Sequence, residues 1–214
     1  EDVSAKYQAA LLLAELKEEN GSYDEAAKYF ELSLEISANP TTLSKTVRFW
    51  VRRREFEKAT ELVYASMATL SALDPRMAQQ FVPQRLFLDG IIFLKRGRIS
   101  EAHARFEDYN RLSTARGDPA HVSLIEIADV LLDSRRYEDA ITNYERALLA
   151  GVDTEGMLFS NSAGKTLESV KADYRTRVLD DVKVKISKCR EKLKYVRRGS
   201  SITALSSADT DGRR

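Results

Sequence analysis

The chain is poor in the residues that hold small scaffolds and build reactive sites. Its single cysteine, Cys189, has no partner for an internal disulfide, which excludes a cystine-stapled fold and suits a reducing compartment. Two histidines, His103 and His121, cannot assemble a zinc site of recognisable spacing with one cysteine, so no metal and no cofactor is expected. No apolar run approaches the roughly 18 residues of a membrane span, and the first residues lack the basic-then-apolar layout of a signal peptide. These absences lead us to expect a soluble, cytoplasmic or nuclear protein.

Three short strings invite functional readings that their context refuses. Ala163-Gly164-Lys165-Thr166 ends like a phosphate-binding loop, but Phe159 stands where the first glycine belongs and no strand pattern precedes it. Arg116-Gly117-Asp118 spells an adhesion tripeptide, yet it precedes Pro119 where an interhelical turn uses Gly and Asp anyway. Asn20-Gly21-Ser22 is a glycosylation sequon only in a secreted chain. No nucleophile, base or paired carboxylates form a catalytic constellation, and no catalytic residue is assigned.

What is present begins with charge. The formal net charge of +1 averages two unlike parts: residues 1–163 hold 20 Lys+Arg and 26 Asp+Glu, whereas residues 164–198 hold 12 and 5. A mildly acidic body is followed by a basic segment.

Apolar residues recur at three and four along the body, as in Leu12, Leu13, Leu16 and then Ala26, Ala27, Phe30, Leu34. No stretch alternates with period two for long, so the chain is expected to be all-α. Asn39-Pro40, Asp74-Pro75 and Asp118-Pro119 each follow an amphipathic stretch as stop signals, and Pro83 is read as opening the next helix. On this reading all four prolines avoid helix interiors.

A pattern then recurs four times: Gly21-Ser22-Tyr23-Asp24-Glu25-Ala26, Glu55-Phe56-Glu57-Lys58-Ala59, Arg98-Ile99-Ser100-Glu101-Ala102 and Arg136-Tyr137-Glu138-Asp139-Ala140. Spacings of 33, 43 and 38 residues between the alanines allow two short helices per unit. Four residues after each alanine lie Phe30, Val63, Phe106 and Tyr144; twelve before lie Ala14, Val47, Gly90 and Ala128. Mostly small residues at the second set let paired helices approach closely.

Small residue, bulky residue, turn, aromatic, Ala, aromatic at these separations resembles the tetratricopeptide repeat family over roughly residues 7–150. The second unit departs from the pattern, with Thr46 and Val47 for the family's Leu-Gly pair and Arg54 at the turn, and Lys17 departs in the first. The resemblance implies a right-handed superhelical stack of about four helix pairs, at about 7–40, 40–75, 83–118 and 121–151 within a repeat array over 1–155. A non-repeating helical bundle is the alternative.

Beyond Gly156 a different stripe runs through Leu167, Val170, Tyr174, Val178, Val182, Ile186, Cys189, Leu193 and Val196 at helical spacing. It predicts a basic amphipathic helix over 162–198, capped by Asn161 or Ser162 and ended by Gly199. This helix either caps the stack or serves a partner or self-association; a break near Thr176 to Asp181 would suit the first. Residues 199–214 are rich in Ser, Thr, Asp and Gly and are expected to be a disordered tail, with Ser200 after Arg197-Arg198 a candidate phosphosite.

The resemblance also places a groove. Its lining positions are Gln8, Leu11, Glu15 and Glu18; Ser44, Arg48, Val51 and Arg52; Phe87, Ile91, Leu94 and Lys95; and Val122, Ile125, Asp129 and Asp133. Members that grip chaperone C-termini use Lys, Asn and Arg where this chain has Leu11, Glu15, Gln84 and Leu88, which argues against that clamp. An apolar strip of Phe87, Ile91, Leu94 and Ile125, bordered by Arg48 and Arg52 on one side and Asp129 and Asp133 on the other, suits an amphipathic or extended partner segment. The same apolar residues would serve equally to pack neighbouring helices. The expected function is a non-catalytic protein-interaction scaffold or adaptor in a larger complex. A ribonucleoprotein role for the basic helix is the alternative.

Overall fold

The computed structural model describes residues 3–154 and 166–211, with the side chains of Leu73, Met77 and residues beyond Val196 excepted. The described residues form helices and turns, with no strand. The chain divides into two compact units, residues 1–109 and 110–214. Unit 1 contains α1 (Val3–Glu19), α2 (Tyr23–Ile36), α3 (Pro40–Arg52), α4 (Phe56–Leu73), α5 (Pro75–Lys95) and most of α6 (Ile99–Ala115). Unit 2 contains the end of α6, α7 (Ala120–Asp133), α8 (Tyr137–Ala150) and α9 (Leu167–Asp211).

One turn joins the helices of every pair. Gly21, Arg54, Gly97 and Arg135 each lie five residues before an anchor alanine, and all are left-handed, at φ 76°, 62°, 79° and 59°. At each, the next amide reaches back to a carbonyl in the last turn of the first helix: Ser22 to Lys17 at 2.8 Å, and Glu55 to Trp50, Arg98 to Phe93 and Arg136 to Leu131 at 2.9 Å. This satisfies carbonyls that a helix end leaves without partners. Arginine carries a Cβ that glycine lacks, so the turn at Arg54 and Arg135 is held against a backbone cost of about 1–2 kcal/mol.

The turn sets the pairing. Ala26, Ala59, Ala102 and Ala140 are fully buried, as are Ala14, Val47 and Ala128 on the facing helices. Phe30, Val63, Phe106 and Tyr144 fill the space beside them at 2% exposure or less. In unit 1, Leu11, Ala14, Ala26, Phe30 and Phe49 form a cluster, with the Phe30 and Phe49 rings 4.9 Å apart. Between α5 and α6 the rings of Phe87 and Phe106 lie 5.9 Å apart, and those of Phe87 and Tyr109 5.0 Å. In unit 2, Val182, Ile186 and Cys189 of α9 are buried, and Arg190 reaches Glu145 of α8 at 2.8 Å.

Two sequence expectations need correction here. Pro83 does not open a helix: α5 starts at Pro75 and runs through Pro83, which is buried. Asp74 caps that start, its carboxylate accepting from Arg76 N at 2.8 Å, as Asn39 accepts from Thr42 N at 3.0 Å before Pro40. An Asx-Pro dipeptide thus starts a helix as well as stopping one, because proline at the first helical position gives up an amide that needs no partner. Inside α5, Pro83 lacks the N–H of a helical bond, but Ala78, Phe81, Leu86 and Leu88 around it are buried and their packing carries the helix through.

The last helix, α9, also departs from expectation. It starts after Thr166, whose hydroxyl accepts from Ser169 N at 3.3 Å; Asn161 and Ser162 lie outside the described residues. The helix is unbroken over Thr176 to Asp181 and continues past Gly199 to Asp211, where a disordered tail was expected. One glycine in a helix costs only about 1 kcal/mol and does not by itself end it.

Candidate partner-binding surfaces

In unit 1 the groove positions on α3 and α5 are partly spent on the fold. Arg52 makes two hydrogen bonds of 2.6 Å to the Glu18 carboxylate, and Lys45 pairs with Glu15 at 2.6 Å, so α1 and α3 are tied by neutralised charges. Phe87, Ile91 and Leu94 are 3%, 4% and 5% exposed, which places them inside the packing and not on an open strip. Arg48 differs. Half-buried, it lies with its guanidinium carbon 5.7 Å from the centre of the Phe87 ring, and its Nε is buried with no hydrogen-bond partner among the described residues. A guanidinium beside a ring is a planar fork of donors that matches a carboxylate.

Beside Gly90, Asp89 is buried and accepts from Arg85 at 2.9 Å. Burial pushes its carboxyl above the usual range, against the pull of Arg85 and Arg105. It stands at the register position of Thr46 and Ile127, so this is a structural ion pair within the helix packing.

In unit 2, α7 and α9 line an open cleft of about 410 Å³. Val122, Ile125, Tyr174 and Val178 are its half-buried apolar walls, and Glu126, Arg177 and Asp181 stand at the rim. Arg177 is exposed and has no ion-pair partner among the described residues. His121 lies beneath at 2% exposure, with neither ring nitrogen hydrogen-bonded among the described residues. Burial lowers its pKa, and Asp153 only partly opposes this, which favours the neutral ring.

Farther along the same face, Asp129 is taken. It accepts from Lys185 at 2.9 and 3.1 Å and from the Tyr144 hydroxyl. Burial and the bond to Asp129 both raise the Tyr144 pKa, keeping the phenol protonated. Burial works against the Lys185 charge, but its bonds to Asp129 and Asp181 prevail and hold its pKa above the ordinary value. Asp133, one turn on, is exposed. Ser200 falls within the backbone of α9, but its side chain is outside the described residues.

Among the expected groove residues, then, Ile125 lines the cleft of unit 2 and Arg48 is half-buried, while Arg52 and Asp129 are engaged within the chain. Tyr174 and Val178 were visible in the sequence as part of the C-terminal stripe, but spacing alone does not say which turns of that stripe would line a cleft. His121 carried no signal beyond its type. No group of three or more His, Cys, Asp or Glu among the described residues could hold a metal, and no described helix is long and apolar enough to cross a membrane.

Helix pairs joined by one recurring left-handed turn, with a further helix packed on the last pair, define a helical-repeat protein. Residues 7–40, the first pair, match the family described as tetratricopeptide repeat. No curated protein matches the chain. Tetratricopeptide repeats commonly mediate protein–protein interaction and are typically non-catalytic.

Proposed function

We propose that this protein is a non-catalytic interaction scaffold or adaptor within a larger complex, and that the cleft between α7 and α9 receives an amphipathic or extended segment of a partner protein. The supporting observation is the cleft of about 410 Å³ at the groove position Ile125, walled by Val122, Tyr174 and Val178. An apolar side chain inserted there supplies affinity, since a few well-enclosed contacts dominate most interfaces. Arg177 at the rim then fixes orientation by taking a carboxylate of the same segment, adding selectivity and encounter rate more than net binding. Arg48, beside the Phe87 ring, is proposed as an anchor of the same kind in unit 1.

Affinity purification with the parent chain and with Ile125→Asp tests the reading. Partners specific to the parent should be lost at least about tenfold, a usual result for removing one central anchor. Helical circular dichroism should stay unchanged. Equal recovery of every partner with both proteins would reject the cleft as the site.

The ribonucleoprotein alternative draws on exposed Lys183, Lys188, Lys192 and Lys194 of α9 together with Tyr195, 62% exposed and able to stack on a base. On that reading phosphorylation of Ser200 would weaken RNA binding, and Ser200→Glu would reproduce the loss. RNA affinity that falls steeply with salt supports it, and no binding at low salt removes it.

A further inference from the structure

The first helix pair has an uncovered face that its successors lack. Leu13 and Leu16 of α1 are 40% and 51% exposed, with Leu12 beside them at 66%. In the repeat register these two positions are Thr46 and Phe49 on α3, and Asp89 and Ile92 on α5, all 4% exposed or less. Phe49 is buried by the preceding pair, in the cluster with Leu11, Ala14 and Phe30. The Leu13 and Leu16 face is therefore the one with which the first helix of a repeat meets a neighbouring helix. Together with Ala5, Ala9 and Leu12 it spans about 100° of α1, broad enough to seat a helix.

Charge decides which helix. Residues 1–36 carry nine Asp and Glu against three Lys, a net −6. Glu19, Asp24, Glu31 and Glu35 are exposed and have no ion-pair partner among the described residues. Two copies of this pair repel each other, which disfavours a symmetric contact of α1 with α1. Residues 182–196 of α9 carry six Lys and Arg against one Glu, a net +5. Val182, Ile186 and Cys189 hold α9 in unit 2, so its opposite face is turned outward. That face has Val184 and Tyr195 at 65% and 62% exposure, with Lys188 between them and Lys192 and Lys194 alongside. These lysines have no ion-pair partner among the described residues.

We infer that the protein self-associates head to tail: the outward face of α9 in one copy, centred on Val184, Lys188 and Tyr195, docks on Leu12, Leu13 and Leu16 of α1 in a second copy. The apolar contact gives affinity. The lysines opposite the carboxylates of the first pair give orientation and make the contact salt-sensitive. The buried face of α9 stays where it is, so association requires no unfolding.

Sedimentation velocity on the nuclease-treated full chain tests this. The weight-average mass should rise between about 1 and 100 µM, and raising salt from about 50 to 500 mM should weaken association at least about tenfold. Leu13→Glu should abolish association, as should Val184→Glu combined with Lys188→Glu, each with the parent's circular dichroism. An equimolar mixture of the two should regain a one-to-one complex, because each supplies the half the other lacks. If Leu13→Glu lowers the melting temperature, Leu12→Glu at the most exposed leucine takes its place. A monomer at every concentration overturns the inference. So does a dimer that the mixed variants fail to restore, which is a symmetric contact, and so does association seen only before nuclease treatment, which is bridging by nucleic acid.

Discussion

Gly90 is the position where a single methyl group should do most damage. A Cβ built there would lie 2.4 Å from Cε1 and 2.6 Å from Cδ1 of Phe106, and 3.1 Å from its Cζ. Carbon atoms in contact sit at about 3.5–4.0 Å, so the ring must retreat by about 1 Å or more. It has nowhere obvious to go, being 2% exposed and packed on Phe87. Two effects oppose each other in Gly90→Ala. Helix propensity favours alanine by about 1 kcal/mol, whereas overpacking a dense contact costs about 1–3 kcal/mol. With two ring atoms under 3 Å the upper end applies, and we expect a net loss of about 1–2 kcal/mol. Urea unfolding followed by helical circular dichroism measures it. Phe106→Leu should relieve the clash, so that the double variant is more stable than the sum of the single losses by about 1 kcal/mol or more. Gly97→Ala is the control: its φ of 79° makes alanine costly, but nothing lies within 4 Å of the added Cβ, so it should show no coupling to Phe106. Stabilisation by Gly90→Ala, or strict additivity with Phe106→Leu, would refute the argument from close approach. In the first pair the same register position holds alanine, with Ala14 packed in the cluster that includes Phe30.

Other expectations follow from the same geometry. Arg54→Gly and Arg135→Gly relieve left-handed strain and should each raise the melting temperature by roughly 1–4 °C; a fall would mean that the arginine side chains contribute more than their backbone costs. Ala102→Trp and Ala140→Trp should each destabilise by about 1–3 kcal/mol or more, both sites being fully buried; two unchanged melting temperatures would show the repeat register to be misplaced. Because burial depresses the His121 pKa, the unfolded chain takes up that proton near the ordinary value of 6.5 and the folded chain only at lower pH. Stability should therefore be full above about pH 6.5 and fall below it by up to about 1.4 kcal/mol per pH unit, with His121→Leu flattening melting temperatures between about pH 7.5 and 5.

The pairing of helices was legible because it depends on short-range spacing. Ala26, Ala59, Ala102 and Ala140 with their neighbours at fixed offsets mark close contacts that any sequence with this fold must leave room for. The turn was half legible: Gly21 and Gly97 announce a left-handed residue, but Arg54 and Arg135 adopt it only because flanking hydrogen bonds and packing enforce it. Pro83 misled because a local penalty of about 3 kcal/mol looks decisive until the buried residues on both sides of it are weighed. The groove was less legible still. Helical spacing gives Phe87, Ile91 and Leu94 one stripe, and a stripe reads alike whether it meets a partner or the protein itself. Asp129 shows the same limit for charge, since its phenol and its lysine come from residues 15 and 56 positions away.

Asp74 stands alone between α4, which ends at Leu73, and α5, which begins at Pro75, terminating one helix and capping the next. There is no slack at this joint. Adding or deleting one residue beside it would rotate everything downstream by about 100° about the axis of α5 if the cap were kept. Phe87 would then swing away from Arg48 of α3, and α5 would turn a different face to α3 and α4. Surface connections usually absorb changes of length at little cost, but here length is itself part of the specification, and the joint works as a phase marker for the helix that follows. A library of single-residue insertions along the chain should find tolerance in the Arg116 to Asp118 turn, where backbone separates two helices, and a sharp loss of folded protein at Asp74.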